Sequence, residues 1–443
     1  MKAIILAGGK GNKMFPFASH RQKCTLPVGN QPNIVRIVKQ LEGKVDEIVV
    51  VVNEQAQDVI STLGRSDVRF VMSNNLQQTL VQECTDDCLI YYGDIVVSEE
   101  TVDAVLAHEG NCVLVQPTGE FLPTQDYLTA KVEKNEVICV YGHSRGSYAN
   151  TRLCGVYKLT KELLSYIDIT PLGFDSVNCG QMPDHEYHLE NTMFLAMNEG
   201  SKVSAYVCED VIDMDFPWNI MDANQWYCEQ YVKTMYSNCI DETAAISDKA
   251  IIRGFIKVGK NSKIGDGVII KGNCEIGDDV TISDGAIIYP NCVIGSGSVV
   301  TDNCKINECS VVGPKNKMGF SAEFGGVSFT GMAQVHGSEI YGVVGKYVDI
   351  AAGCVTGILK FDDMLVSQKV GAKRYANKNT NIVCIGDYTR TGICNVFYPG
   401  VKVGSHCALG PNLTIQRDIA DNQLVMPKQE VEVKPWGSDK YGW

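Results

Sequence analysis

The chain has 443 residues, a formal net charge of −13 and 45% hydrophobic residues. This length exceeds one ordinary domain and predicts two, and the composition is that of a globular chain rather than a disordered one. The acidic balance argues against a nucleic-acid partner, which would need a basic face. It does not exclude phosphate ligands, because a local pocket of lysine and arginine can form on an acidic protein.

The sequence contains neither a membrane segment nor an export signal. The apolar run after Lys2 is too short for a signal peptide, and no stretch approaches the roughly 20 apolar residues of a membrane helix. Eighteen cysteines without a signal indicate reduced thiols. Cys84 and Cys88 have no second pair nearby and do not predict a zinc site. We therefore expect a cytoplasmic protein with no membrane partner.

The first half of the chain alternates short apolar strands with helical segments. Strands are predicted at 2–6, 47–52, 68–71 and 89–92, and helices at 33–41 and 55–63. Continuous apolar strands between helices predict a parallel sheet covered on both faces. Ligands of such sheets bind at the carboxyl ends of the strands, and the segments Gly8–Gly11 and Gly93-Asp94 fall at such ends.

After about residue 240 the pattern changes to a repeat of six residues. Twelve isoleucines and valines follow one another at this spacing: Ile246, Ile252, Val258, Ile264, Ile270, Ile276, Ile282, Ile288, Ile294, Val300, Ile306 and Val312. The same phase returns at Val344 and Ile350, and again from Ile385 to Ile415. A fixed period of this kind predicts a solenoid. It resembles the left-handed parallel β-helix, in which three hexapeptides form one triangular coil.

Two stretches, 316–341 and 358–383, interrupt the repeat, and we expect both to be loops that project from the solenoid. Loops on one face of a solenoid often carry its site. Five cysteines fall on the small inward position of a hexapeptide and are expected to fill the core: Cys274, Cys292, Cys304, Cys354 and Cys407. The predicted division is a domain at 1–235, a β-helix at 240–430 and an aromatic tail at 431–443.

The strongest motif follows the first strand and reads Leu-Ala-Gly-Gly-Lys-Gly-Asn-Lys, with a second lysine ten residues later. Glycines here let backbone N–H groups approach phosphate oxygens closely, and the lysines supply positive charge. The pattern is not a P-loop, since no Gly-Lys-Ser/Thr follows, and Met14 replaces the third glycine of a dinucleotide fingerprint. The residues expected at the phosphates are Leu6, Ala7, Gly8, Gly9, Gly11, Lys13 and Lys23.

This glycine motif and the following Lys23-Cys-Thr-Leu-Pro-Val28 resemble the signature of sugar-1-phosphate nucleotidylyltransferases. With the predicted solenoid behind them, nearly the whole chain resembles the bifunctional sugar-1-phosphate nucleotidylyltransferase/acetyltransferase family, N-acetylglucosamine-1-phosphate uridylyltransferases included, and in particular its archaeal-type branch. The resemblance implies an α/β Rossmann-like nucleotidyltransferase domain followed by a left-handed parallel β-helix. It also implies a homotrimer, a nucleoside triphosphate and a sugar-1-phosphate as substrates, and Mg²⁺ as cofactor. A second, acetyl-CoA-dependent activity is left open.

The resemblance also assigns residues outside the glycine motif. Asp94 and Asp213 are implied as ligands of Mg²⁺, a hard cation that suits carboxylates. Lys13 and Lys23 are implied as catalytic residues that neutralise phosphate charge while a sugar-1-phosphate oxygen attacks the α-phosphorus. The further residues implied in substrate binding are Gln78, Thr79, Gly93, Gly155 and Glu190.

Several positions depart from the family pattern. Lys13 replaces an arginine and so loses the planar guanidinium fork. Gln78 places a side chain where the family has a glycine beside the nucleobase, and Asp215 also replaces a glycine. Two alternatives therefore stay open. One is a catalytically weak regulatory or structural subunit that binds sugar nucleotides, and the other is an acetyltransferase with a vestigial N-terminal domain.

His336 is the residue that the resemblance implies as the general base of acetyl transfer, a role that suits the pKa of histidine. Bacterial members of the family carry a tyrosine three residues after this histidine. Here Glu339 stands at that position and Tyr341 lies five residues on. An ordinary hydrogen-bonded loop histidine is the alternative.

Overall fold

The computed structural model describes residues 1–9, 11–54, 56–64, 67–119, 126–142, 148–173, 186–371 and 373–437. Its N-terminal part is a nine-stranded sheet flanked by helices. The strands lie in the spatial order Val68–Met72, Glu47–Val52, Lys2–Leu6, Cys88–Tyr92, Thr151–Leu159, Cys112–Pro117, Ser204–Val207, Glu136–Gly142 and Leu128–Glu133. The α-helices are Asn33–Leu41, Ala56–Leu63, Leu76–Glu83, Glu99–Ala107, Lys161–Leu164, Leu189–Asn198 and Asn219–Tyr227.

Short elements complete this part of the chain. They are the 3₁₀ turn Lys23–Thr25, the π-helical turn Cys228–Val232, the strand pair Pro27–Val28 with Gln31–Pro32, and the pair Ile95–Val96 with Ile212–Asp213.

The predicted parallel sheet is confirmed for its first four strands. Lys2–Leu6 pairs in parallel with both Glu47–Val52 and Cys88–Tyr92. Alternate residues of these strands enter two separate cores, Ile5 on one face and Ile4 on the other, which explains why the strands are apolar throughout. Beyond them the long strand Thr151–Leu159 runs antiparallel to both neighbours, so the sheet as a whole is mixed.

The C-terminal part is a parallel β-helix. One set of its strands comprises Cys239–Ile240, Ile251–Ile252, Ile256–Val258, Ile269–Ile270, Cys274–Ile276, Ile287–Ile288, Cys292–Ile294, Lys305–Ile306, Val311–Val312, Glu323–Ser328, Glu339–Val344, Val355–Thr356, Val383–Ile385, Val396–Phe397, Lys402–Val403 and Thr414–Ile415. The other comprises Ala245–Ile246, Lys263–Ile264, Thr281–Ile282, Val299–Val300, Lys317–Met318, Ala333–Gln334, Asp349–Ile350, Arg390–Thr391, Ala408–Leu409 and Leu424–Val425.

The spacing of the coils confirms the predicted hexapeptide repeat. Ile264 pairs with Ile282, and Ile282 with Val300, so equivalent positions are 18 residues apart, which is three hexapeptides. The repeating apolar residues form one continuous core along the axis. The five cysteines predicted to point inward all belong to this core: Cys274, Cys292, Cys304, Cys354 and Cys407.

The expectation that 316–341 forms a projecting loop is wrong. This stretch continues the solenoid in a shorter coil, in which Phe324 pairs with Ile340, 16 residues on. The strand Glu323–Ser328 pairs with two consecutive strands of the preceding coil, Lys305–Ile306 and Val311–Val312, and so passes a corner with two residues fewer. The shortening shifts the phase of the repeat while Phe324 and Ile340 stay buried.

The second interruption does project from the solenoid. Val343 pairs with Cys384, 41 residues on, and the chain between them includes the hairpin Gln368–Val370 with Lys373–Tyr375. This insertion packs against the N-terminal part. The ring of Tyr375 lies 4.4 Å from that of Phe216, and Asn379 donates a hydrogen bond of 2.7 Å to Asp222.

The ends of the solenoid are plain. After Leu424–Val425 the described chain has no regular structure, and Trp436 is 73% exposed. Residues 438–443 of the predicted aromatic tail lie outside the described residues. Among the helices that the structure describes, none combines the length and the apolar composition needed to cross a bilayer.

Candidate active site

A cavity of about 900 Å³ opens at the carboxyl ends of the parallel strands. It is lined by most of the residues predicted at the phosphates, by Asp94 and by Glu190. The residues along its wall include Leu6, Ala7, Gly8, Gly9, Gly11, Lys13, Lys23, Asn53, Ser73, Asn74, Asn75, Leu76, Tyr92, Asp94, Glu190 and Asp215. The position agrees with the rule for open α/β sheets.

The glycine segment wraps around the side chain of Lys23. A Cβ atom on Gly9 would lie 3.4 Å from Lys23 Cε, and one on Gly11 would lie 3.0 Å from Lys23 Cγ and 2.7 Å from Ala18. Gly11 also has φ of +63°, a conformation that side chains rarely adopt. The glycines therefore allow the lysine stem to pass beneath the loop and bring its ammonium group into the cavity.

Three carboxylates meet beside Lys23. Asp213 is paired with Ile95 across two short antiparallel strands, and Met214 N–H donates to the backbone oxygen of Asp94 at 3.1 Å. This pairing brings Asp213 and Asp215 to Asp94, and one oxygen of each carboxylate lies within 4.8 Å of the others. Half-buried oxygen donors at this spacing fit a hard divalent cation.

Basic side chains balance the carboxylates. Lys23 forms an ion pair with Asp94 and another with Asp215, in which Nζ and Oδ1 are 2.8 Å apart. Lys13 Nζ lies 3.4 Å from the other oxygen of Asp215. Burial alone would lower the pKa of Lys23, but the neighbouring carboxylates outweigh it and raise that pKa well above its usual value. Lys23 therefore stays charged at any physiological pH.

Asp213 has an unusual protonation equilibrium. Burial raises the pKa of its carboxyl, and the nearby charges of Asp215 and Asp94 raise it further, to about 7. Arg152 opposes this effect from 3.8 Å, too far to cancel it. A positive ion bound among the three carboxylates would relieve the repulsion.

The raised pKa of Asp213 predicts that stability in the absence of divalent cations falls as pH rises. The folded protein keeps a proton on Asp213 up to about pH 7, whereas the unfolded chain loses it near 3.8. Between these values the folded state binds more protons, so the free energy of unfolding decreases with increasing pH. Urea unfolding in a chelator, from about pH 5 to about pH 8, should show a flatter dependence for Asp213→Asn than for wild type. Equal slopes in the two proteins would contradict the raised pKa.

Glu190 lies in a buried polar pocket at the other side of the cavity. Its Oε1 accepts hydrogen bonds of 2.9 Å from the hydroxyls of Tyr92 and Tyr157. Within the described residues its buried Oε2 has no hydrogen-bond partner. Gly155 supports this pocket from behind, because its φ of +64° and missing Cβ let the ring of Tyr92 approach closely. Gly93 donates a backbone hydrogen bond of 2.9 Å to Leu6 and does not line the cavity.

Gln78 and Thr79 lie outside the cavity, contrary to expectation. The helix Leu76–Glu83 is capped by Asn75, whose side chain accepts the N–H of Gln78, and this places the Gln78 side chain in solvent. Thr79 is buried and donates to the backbone oxygen of Asn75 at 2.9 Å. The cavity wall at this point is formed instead by 73–76, just before the helix.

His336 lies on a corner of the β-helix and not in the cavity. It has φ of +60°, is exposed, and stacks on the ring of Phe320 at a centroid distance of 4.6 Å. Within the described residues no hydrogen bond to its imidazole is formed, so the alternative of a hydrogen-bonded loop histidine also lacks support. The structure brings no other candidate catalytic group to it.

Asp215 is a site residue that the sequence assignments missed. The resemblance marked it as a departure from the family, but its contacts with Lys23 and Lys13 place it within the charged cluster. The available signal was the alternation Asp213-Met-Asp215, because two carboxylates two residues apart in an extended segment point to the same side.

Fold and site together define a nucleotidyltransferase-type α/β domain joined to a parallel β-helix. The family described as MobA-like NTP transferase domain matches residues 3–165, and the family described as GMPPB C-terminal domain matches residues 235–321. Both matches agree with the architecture described above.

Full-length relatives extend the comparison. The bifunctional protein GlmU of Methanocaldococcus jannaschii is 25% identical over 97% of this chain and 98% of its own, and that of Methanococcus maripaludis strain C7 is 29% identical over 98% and 99%. The bifunctional sugar-1-phosphate nucleotidylyltransferase/acetyltransferase of Sulfurisphaera tokodaii is 25% identical over 95% and 98%. The resemblance to this bifunctional family, in its archaeal form, is thus confirmed over nearly the whole chain.

Proposed function

We propose that the chain transfers a nucleotidyl group from a nucleoside triphosphate to a sugar-1-phosphate and releases pyrophosphate. The observation that carries the proposal is the cluster at the floor of the cavity, where Lys23 lies between the glycine segment and the carboxylates of Asp94 and Asp215. Nucleotidyl transfer needs charge neutralisation and positioning more than covalent help, and this cluster offers both.

The chemistry follows from the groups around the cavity. An oxygen of the sugar phosphate attacks the α-phosphorus, the bond from this phosphorus to the bridging oxygen breaks, and pyrophosphate leaves. Lys13 and Lys23 neutralise phosphate charge, with the glycines letting the backbone approach. Asp94 and Asp213, with Asp215 beside them, would hold Mg²⁺, which would supply further neutralisation when bound.

The pocket around Glu190 supports a sugar as the second substrate. Its buried Oε2 is an acceptor within reach of the cavity, and a sugar hydroxyl is a matching donor. The wall at 73–76 would face the nucleobase. The homotrimer, the cytoplasmic location and the division at 235–240 remain predictions.

The proposal is tested by pyrophosphate release in the presence of Mg²⁺ across a panel of triphosphates and sugar-1-phosphates. We expect release with at least one pair. No release with any pair, with triphosphate binding still measurable by calorimetry, would instead favour the regulatory subunit. Neither release nor binding would favour the vestigial domain.

Acetyl transfer is a second candidate function, favoured by the printed name of the Sulfurisphaera relative, which matches 95% of this chain. Acetyl-CoA would be the donor and His336 the base. His336→Ala is then expected to abolish thiol release with sugar-amine acceptors and to leave pyrophosphate release unchanged. His406→Ala is the matched control, because His406 is another corner histidine of the solenoid with φ of +56°. Equal thiol release by both variants would exclude His336 as the base.

A further inference from the structure

The loop that carries Lys23 is held between the two parts of the molecule. From Gly11 to Gln22 it has no helix or strand, and the 3₁₀ turn Lys23–Thr25 ends it. On one side it contacts the α/β part and on the other the β-helix. Its conformation is therefore set by these contacts rather than by its own secondary structure.

On the side of the β-helix the contact is a buried ion pair between Arg21 and Asp387. The two side chains are 4% and 6% exposed. The second oxygen of Asp387 accepts the N–H of Lys346 at 2.8 Å, so the carboxylate is fixed within the coil. The Arg21 guanidinium also lies over the ring of Phe329, 5.1 Å from its centre. Among the described residues no other carboxylate forms an ion pair with Arg21.

A second contact joins the same coil to the loop. Ser405 accepts the N–H of Asp387 at 3.0 Å and donates its hydroxyl to the backbone oxygen of Pro16 at 3.4 Å. Phe17 packs on Phe329 with ring centres 5.3 Å apart. The loop is thus anchored to the β-helix both by charge and by apolar packing.

On the side of the α/β part the hydrogen bonds lead from the loop to the glycine segment. Gln22 donates its N–H to Asp58 at 3.0 Å and its side-chain amide to Asn53 at 3.0 Å. Asn53 in turn donates to the backbone oxygen of Gly8 at 2.9 Å. Arg21 directly precedes Gln22 and lies two residues before Lys23, so a shift of Arg21 would move both the lysine and its support.

We infer that Asp387 of the β-helix is a positioning residue for nucleotidyl transfer, acting through Arg21 on Lys23. The inference rests on the proposed function for its catalytic consequence, while the contact itself does not. A buried arginine that loses its counter-ion is strongly destabilised, and the loop moves to expose it. The nucleotidyl-transfer site of this chain therefore depends on the β-helix and is not complete in the α/β part alone.

The test uses the full-length chain with Asp387→Asn, which keeps an oxygen for the N–H of Lys346 and removes the charge. We expect kcat for pyrophosphate release to fall about tenfold or more, measured per nucleotide-binding site and well below the melting temperature, with a smaller change in KM. Asn379→Ala is the control, because it removes another contact between the two parts, one that does not touch the loop. Unchanged kcat in Asp387→Asn would overturn the inference.

Hydrogen exchange supplies a readout that does not depend on turnover. Backbone amides of 18–26 should exchange faster in Asp387→Asn than in wild type, and no such change is expected in Asn379→Ala. If wild type releases no pyrophosphate, the proposed function fails while exchange still decides the positional role. If Asp387→Asn does not fold, Ser405→Ala is measured in the same way. It is expected to show the same changes to a smaller extent, and exchange identical to wild type would overturn the inference.

Discussion

Replacing Asp94 by asparagine is expected to lower the rate of pyrophosphate release by about 100-fold or more. Asp94 contacts Lys23 and lies within 4.8 Å of the ligand oxygens of Asp213 and Asp215. The amide keeps the size of the side chain but loses its negative charge, which weakens the binding of a divalent cation and the placement of the lysine. The backbone oxygen that accepts the N–H of Met214 is unaffected, so the fold should persist.

Two measurements separate the causes of this loss. Calorimetry with Mg²⁺ should show weaker binding to Asp94→Asn, and excess Mg²⁺ should restore little activity. Asp103→Asn is the matched control, since Asp103 pairs with Lys44 at 2.5 Å on the surface, and it should retain full activity. Activity of Asp94→Asn within about twofold of wild type would show that the carboxylate cluster is not the reactive centre.

The solenoid was predictable because each of its inward positions recurs in the sequence as well as in space. Ile264, Ile282 and Val300 stack directly on one another, and the six-residue spacing records this. The short coil was not predictable from that spacing. Removing two residues at one corner breaks the period, although Phe324 and Ile340 keep their places in the core.

The candidate site shows a similar limit. Lys23 and Asp94 follow from the rule that ligands bind at strand ends, and the motif around them is local. Asp215 and Asp387 act through partners far away in the sequence, 192 residues in the case of Asp215 and Lys23. Such contacts depend on how the chain folds back on itself, and a single sequence carries no period or motif that reports them.

Replacing Lys23 by methionine tests the charge at the centre of the cluster. Methionine keeps most of the stem that passes Gly9 and Gly11, so the packing of the loop should survive. We expect kcat to fall by about 100- to 1000-fold, because a buried positive charge beside the phosphates is lost. Lys44→Met removes a lysine that also pairs with two carboxylates, but at the surface, and should be as active as wild type.

The double variant Lys23→Met/Asp215→Asn distinguishes two roles for this lysine. If Lys23 serves only to offset the charge of Asp215, removing both charges restores the balance and activity returns. If Lys23 neutralises the substrate phosphates, the double variant stays as slow as Lys23→Met. We expect the second result, since Asp94 and Asp213 remain for a cation while no other described lysine ion-pairs with Asp94. Recovery to within about tenfold of wild type would assign Lys23 a role in charge balance alone.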